Sequence, residues 1–283
     1  VGGISGIIGG YLYEHSTENP VPILCILISF FSCIAGAVIL SLIYSFLTIS
    51  LRANQNVTGL ALTTFGVGIG NFFGGSLLNF FGESGSISLI ETGKAYKTYL
   101  PIADKTGIFG QTFLSFGFLA YLAVIIALAA SFVLNRTRVG LNLRAVGENP
   151  ATADAAGINV TLYKYLSTCI GGAIAGLGGL YFVMDYTAGA WTNDGFGDRG
   201  WLAIAIVIFA IWRPKSAIFS SFLFGGLYII CVYIPGLSSS AKELIKMLPY
   251  IVTIVVLVLI SVRKKRENQP PAHLGLNYFR EER

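Results

Sequence analysis

The chain has 283 residues, of which 54% are hydrophobic and only 12% charged, and its mean hydropathy is +0.71. Soluble globular proteins carry about 25% charged residues, so there is too little charge here to cover a water-exposed surface. The net charge of +5 does not point to nucleic acid either, because Lys and Arg lie between apolar runs instead of clustering on one polar face. The composition supports an all-α fold, a polytopic transmembrane helical bundle.

The chain begins at Val1 rather than Met, and Gly2–Leu12 reads as the tail of a span whose beginning is missing. Seven stretches then contain no Asp, Glu, Lys or Arg: Asn19–Leu51, Ala53–Gly82, Thr106–Asn135, Tyr165–Met184, Gly200–Trp212, Ser216–Ala241 and Met247–Val262. A helix needs about 20 apolar residues to cross a bilayer, and a charge at its centre costs roughly 2.5–3.5 kcal/mol on insertion scales. Six stretches approach or exceed that length. Gly200–Trp212 is shorter and reads as a short or re-entrant helix, or as half of a hairpin turning at Arg213–Lys215. The expectation is about seven to eight spans over residues 1–262, followed by a basic tail over 263–283.

Charge orients these spans. With the Arg52 turn inside, alternation also puts inside the 135–165 loop, the Arg213–Lys215 turn and the tail. These segments hold 13 of the 19 Lys and Arg but 5 of the 14 Asp and Glu. That is the positive-inside pattern, so the C-terminus is expected in the cytoplasm. Glu83–Gln111 and Asp185–Arg199 are then the outer segments. Tyr186, Trp191, Trp201, Trp212 and Tyr250 fall near span ends, as an interfacial belt would.

Gly66, Gly70 and Gly74 repeat every four residues, as do Gly171, Ala175 and Gly179. Such ridges let helices approach closely; they suit packing within one subunit, a dimer or a pore lining. The four cysteines lie in apolar stretches without a C-x-x-C pair and read as small buried hydrophobes. Gly195–Gly200 matches G-x-G-x-x-G, but no strand precedes it and no βαβ unit surrounds it, so it is not a dinucleotide site. The two histidines, His15 and His273, lie in polar flanks. No catalytic or metal-ligating constellation is present, so no cofactor and no enzymatic activity is expected. The sequons at Asn56, Asn135 and Asn159 fall on the cytoplasmic side.

The 135–165 loop carries a further signal. Asn149 is a good N-cap and Pro150 suits the first helical position. Ala151, Ala153, Ala155 and Ala156 favour helix, and Gly157 is a natural stop. A capped helix of about two turns follows, too short to be stable alone in water. It needs to rest on the bundle, on the lipid surface or in the groove of a partner.

Gly140-Leu141-Asn142-Leu143-Arg144-Ala145-Val146-Gly147-Glu148-Asn149-Pro150 and the continuation to Val160 resemble the coupling loop of ATP-binding-cassette importer permeases of the branched-chain amino acid, ribose and nucleoside group. Leu51–Leu62, Gly197–Ala205 and Ile211–Pro214 resemble further segments of that group, and the similarity runs from about Leu40 to Tyr250. The Leu51–Leu62 and Gly197–Ala205 segments suggest the nucleoside permeases that work with basic-membrane-protein-type lipoproteins; ribose-type permeases are near neighbours.

The resemblance implies a multi-pass permease of a bacterial cytoplasmic membrane. It also implies that Gly147, Glu148, Asn149, Pro150, Ala151, Ala155, Ala156 and Gly157 couple it to a separate ATPase, since no G-x-x-x-x-G-K-[ST] is present. The implied partners are that ATPase, a second permease chain (a copy or a sister) and an extracytoplasmic substrate-binding lipoprotein received by the outer segments. Arg138 and Arg144 suit contacts to the ATPase or to anionic membrane lipid equally. Asn71, Thr64 and Ser115 are the candidate substrate-pathway residues, because neutral polar side chains suit a nucleoside. Each also suits an interhelical hydrogen bond. A stand-alone secondary transporter is the rival reading, disfavoured by the absence of a mid-span charge.

Overall fold

The structure is a computed structural model. It describes residues 1–80, 87–98, 107, 114–197, 199–233, 238, 241, 244–245, 247–263 and 270–279, without the side chains of 76–80, 230–233 and 259–263. Eleven helices are described: α1 (Gly2–Ser16), α2 (Pro22–Ser45), α3 (Gln55–Phe80), α4 (Ile90–Tyr96), α5 (Phe118–Arg136), α6 (Arg138–Glu148), α7 (Pro150–Ala155), α8 (Val160–Tyr181), α9 (Arg199–Phe209), α10 (Pro214–Tyr233) and α11 (Leu248–Arg263). Helix α2 runs on into a π turn, Phe46–Ser50, and α8 into another, Phe182–Tyr186. Among the described residues the only β-pairing is an isolated antiparallel bridge between Ser88 and Ala190.

Among the described residues four helical segments are long and apolar enough to cross a membrane: Pro22–Ser50, Gln55–Gly75, Phe118–Arg136 and Val160–Tyr186. Their outer faces carry side chains that water would not tolerate in such number. Phe31, Ile39, Val57 and Phe132 are each 60% or more exposed. The bundle expected from composition is present, and α9, short as the sequence suggested, forms a hairpin with α10 whose turn lies at 210–213, just ahead of the expected Arg213–Lys215. Its turn holds Ile211 and Trp212 at φ 56° and 52°, a left-handed conformation that costs a β-branched residue roughly 1–3 kcal/mol.

The chain divides into two units, Val1–Ala123 with Pro150–Gly195 and Gly275–Arg283, and Val124–Asn149 with Phe196–Leu274. In the first, α1, α2 and α8 pack against one another. Their surfaces are smooth where they meet. A Cβ on Gly2 would lie 2.6 Å from the Gly176 Cα, and one on Gly176 would lie 2.5 Å from the Ala37 Cβ. The Ser32 hydroxyl donates to the Ser5 carbonyl across the α1–α2 contact at 2.6 Å. Cys25 and Cys33 are buried in the same layer, as expected of small hydrophobes.

Two of the ridges read from the sequence take unexpected forms. Gly70 and Gly74 receive the indole of Trp191, which is only 5% exposed. Trp191 therefore serves intrasubunit packing and does not belong to a lipid-facing belt; Tyr186 and Trp201, by contrast, are exposed. On α8 the glycines that meet α2 are Gly172 and Gly176, while Gly171 faces open space.

Residues 87–93 and 188–191, from the two segments that charge counting puts outside, come together in this unit; the rest of Glu83–Gln111 lies largely outside the described residues. The Leu89 amide donates to the Gly189 carbonyl and the Trp191 amide to the Ile87 carbonyl, both at 3.0 Å. Gly93 lies against the backbone of Ala188 and Gly189. The Glu14 carboxylate accepts from the Thr92 amide at 2.7 Å and from its hydroxyl.

In the second unit, α9, α10 and α11 pack together. Phe209 meets Phe224 edge-on at 5.3 Å between ring centroids. Helix α6 lies in the stretch expected as loop. The Thr137 hydroxyl caps it by accepting from the Gly140 amide at 3.2 Å, and Gly140 lets it fold back onto Val133 and Leu134 of α5. Asn135 accepts a hydrogen bond from Arg144.

Candidate functional site

Helix α7 has only six residues, and local chemistry specifies both its ends. Asn149 is extended, at φ −150° and ψ 94°, directly before Pro150, whose missing N–H costs nothing at a first helical position. At the other end Gly157 takes φ +82°. The Ile158 amide returns to the Ala153 carbonyl and the Gly157 amide to the Asp154 carbonyl, both at 3.0 Å. This is the paired 6→1 and 5→2 pattern that closes a helix through a left-handed glycine. Helix α8 starts at once, with the Asn159 side chain accepting from the Leu162 amide at 3.0 Å.

Burial then sorts the residues of α7. Pro150 and Ala153 are buried; Thr152, Ala155, Ala156 and Gly157 are exposed. The outward face is small and uncharged, a surface that fits into a groove without desolvating a charge. Of the other candidate coupling residues, Glu148 and Asn149 are exposed and Ala151 half-buried, while Gly147 is half-buried in the second unit and receives the His273 amide on its carbonyl at 3.0 Å.

Beside α7 lies a cavity of about 470 Å³ whose lining includes Arg52, Gln55, Asp154, Asn159, Lys164 and Tyr278. Asn54 caps α3 here, accepting from the Asn56 and Val57 amides at 3.0 and 3.1 Å. The C-terminal segment reaches this place. The Tyr278 hydroxyl donates to Asp154 Oδ2 at 2.9 Å, and Asn277 Nδ2 donates to the Arg52 carbonyl at 2.6 Å. The Arg52 guanidinium lies 4.7 Å over the Phe279 ring and the Lys164 ammonium 5.8 Å over the Tyr278 ring. Three segments that the charge count puts on one side, the Arg52 turn, the α7 loop and the tail, thus meet at one end of this unit. Arg52, Asp154, Lys164 and Tyr278 were missed as site residues by sequence reasoning. The available signal was the excess of cations in those three segments.

The substrate-pathway candidates are more scattered. Asn71 uses both ends of its amide on one partner: Nδ2 donates to Asp194 Oδ1 at 3.0 Å, and Oδ1 accepts from the Asp194 amide at 3.3 Å. Thr64, two turns earlier on α3, is exposed and its hydroxyl donates to the Leu60 carbonyl at 3.2 Å. Ser115 is half-buried in the bend leading to α5. The Asn71 amide thus ties α3 to the turn that carries Asp194.

Residues 3–257 match the family described as the permease component of the branched-chain amino acid transport system. The chain belongs to this permease family. The permease is 32% identical over 284 residues to the nucleoside ABC transporter permease protein NupC of Lactococcus lactis subsp. cremoris, covering 99% of this chain and 85% of that protein. It is 33% identical over 224 residues to the putative glucose ABC transporter permease protein TsgC13 of Haloferax volcanii, 78% of this chain and 63% of that one. It is 30% identical over 234 residues to the guanosine ABC transporter permease protein NupQ of Bacillus subtilis, 81% and 72% of the respective chains. No solved structure matches the permease. Its work is membrane transport as a multi-pass subunit of an ABC importer, as the helical bundle and the family together require.

Proposed function

We propose that this chain is the membrane-spanning subunit of an ABC importer that brings nucleosides across a bacterial cytoplasmic membrane, driven by a separate ATPase. The observation that carries the nucleoside reading is the similarity to NupC along 99% of the chain, supported by NupQ. Helix α7 supports ATPase coupling. It is closed at its C-terminal end, anchored through Pro150 and Ala153, and offers the small outward face Thr152, Ala155 and Ala156.

In this reading α7 enters a groove of the ATPase and transmits its closure to the bundle, with the C-terminus in the cytoplasm. The paired outer segments around Ser88 and Ala190 receive a substrate-loaded lipoprotein, and a second permease chain completes the pathway. Asn71, Thr64 and Ser115 remain the proposed pathway residues.

The test is uptake of labelled nucleoside by vesicles holding the permeases, ATPase and binding protein. Uptake is expected only with ATP and the binding protein, and unlabelled nucleoside is expected to compete. A sugar reading has its own support in the 33% identity to TsgC13; competition by glucose in place of nucleoside would establish it.

A further inference from the structure

We propose that Leu276–Phe279 is a strap that fixes α7 against the turn between α2 and α3, with Tyr278 as its positioning residue. The proposal rests on the reading of α7 as the element that docks on the ATPase.

A helix of six residues cannot hold its own conformation in water, and a lever that must transmit force needs a fixed seat. The buried side chains of α7, Pro150 and Ala153, are too small to supply much apolar contact. Asp154 stands out for its position. A carboxylate in the last turn of a helix meets the negative end of the helix dipole, so Asp154 weakens the helix it sits in unless something compensates. The compensation comes from the tail, where the Tyr278 hydroxyl donates to Asp154 Oδ2 at 2.9 Å. A hydrogen bond to an ionised acceptor is among the stronger ones available to a side chain.

The other end of the strap explains a second oddity. Arg52 is held at φ 56°, a conformation rarely adopted by residues other than glycine, asparagine or aspartate. In that conformation its carbonyl receives Asn277 Nδ2 at 2.6 Å, and its guanidinium covers the Phe279 ring. The neighbouring Ala53 carbonyl takes a longer bond from the same amide at 3.5 Å, and Gln55 Nε2 donates to the Leu276 carbonyl at 3.4 Å. Lys164, in the first turns of α8, lies over Tyr278 itself. Four consecutive tail residues thus touch the α2–α3 turn, α7 and α8. None of them covers the outward face of α7, so the strap buttresses the docking element and leaves it open.

The test uses the full-length chain with Tyr278→Phe, Asp154→Asn and the double variant. Tyr278→Phe keeps the ring and removes only the donor. Hydrogen exchange at the Asp154–Ile158 amides is expected to speed up about tenfold in Tyr278→Phe, the worth of one charge-assisted hydrogen bond, and to change little when Tyr278→Phe is added to Asp154→Asn, which lacks the charge that Tyr278 offsets. Equal protection in wild type and Tyr278→Phe, or losses that multiply in the double variant, overturns the strap. In vesicles with the ATPase and binding protein, nucleoside carried per ATP hydrolysed is expected to fall about tenfold in Tyr278→Phe, while the ATPase still co-purifies. A role confined to stability would lower the yield of folded complex and leave that ratio alone, so an unchanged ratio overturns the positioning role. Failure of the docking reading has a different signature, wild-type transport indifferent to ATP.

Discussion

Within the first unit, α1, α2 and α8 meet through glycines and serines, whereas α7 and the turn beside it are tied by polar and aromatic side chains from a distant part of the sequence. The difference follows from the solvent of each region. Lipid tails are as apolar as leucine, so helices inside a membrane gain little by burying large side chains against each other; they gain by close approach. At the membrane–water boundary polar atoms have alternatives in water, and a fixed geometry needs several directed bonds at once. The first region should therefore be intolerant of added volume, and the second intolerant of losing particular atoms.

The sharpest way to break the first region is Gly176→Leu. The position has no room even for a Cβ, which would lie 2.5 Å from the Ala37 Cβ. The expected destabilisation is about 3 kcal/mol or more. It is read as loss of monodisperse protein after mild heating in detergent. In the second region the largest effect belongs to Ala155→Arg. Ala155 is exposed on the outward face of α7, so the bundle is expected to fold. A bulky charge there blocks entry into a groove, and ATPase co-purification is expected to fall at least about 100-fold, or roughly 2.7 kcal/mol. Intact co-purification would remove the docking reading.

How legible each region was in the sequence follows the same division. The spans were legible because an uncharged run of sufficient length has few other uses, and α7 because Asn149-Pro150 and Gly157 act locally. The glycine contacts were not. Gly171 and Gly172 are adjacent and chemically identical, and in an apolar helix hydropathy does not separate the face against a neighbour from the face against lipid. Trp191 looked like a belt residue for the same reason: an aromatic near a span end suits either place, and only its seat on Gly70 and Gly74 decides. Helix α6 was passed over because its two glycines, Gly140 and Gly147, weaken helix propensity, while its Thr137 cap and the fit of Gly140 against α5 compensate. The strap was illegible because Asn277 and Tyr278 find partners more than a hundred positions away, beyond the reach of any local pattern.

Smaller than either is the effect of Gly157→Val, which tests conformation apart from volume. Nothing lies within 4 Å of a Cβ at Gly157, yet its φ is +82°, which a β-branched residue resists. The expected cost is about 1–2 kcal/mol, taken locally as fraying of α7 and faster exchange at Gly157 and Ile158. Coupling weakens while the thermal stability of the α1–α2–α8 contact stays at its wild-type value. A fall in that stability equal to the local cost would mean that the two regions unfold as one.

The smallest effect, and the finest test of the comparison, is the pair Gly171→Ala and Gly172→Ala. The positions differ by one residue on α8. A Cβ at Gly172 would run into the Ser41 side chain, whereas at Gly171 it would meet nothing within 4 Å. Removing glycine from a helix interior gains roughly 0.5–1 kcal/mol. That gain should appear undiminished at Gly171, and at Gly172 be reversed by the clash with Ser41. Thermal stability of the isolated chain in detergent measures both. The same Gly171→Ala variant then probes what covers that face. If the surface bearing Gly171 and the exposed Ala175 meets only lipid, stabilisation in the isolated chain carries over unchanged to the assembled transporter. A variant stabilised alone but impaired in assembly would identify that surface as the seat of the second permease chain, because a single methyl matters only where a neighbour comes as close as Ser41 comes to Gly172.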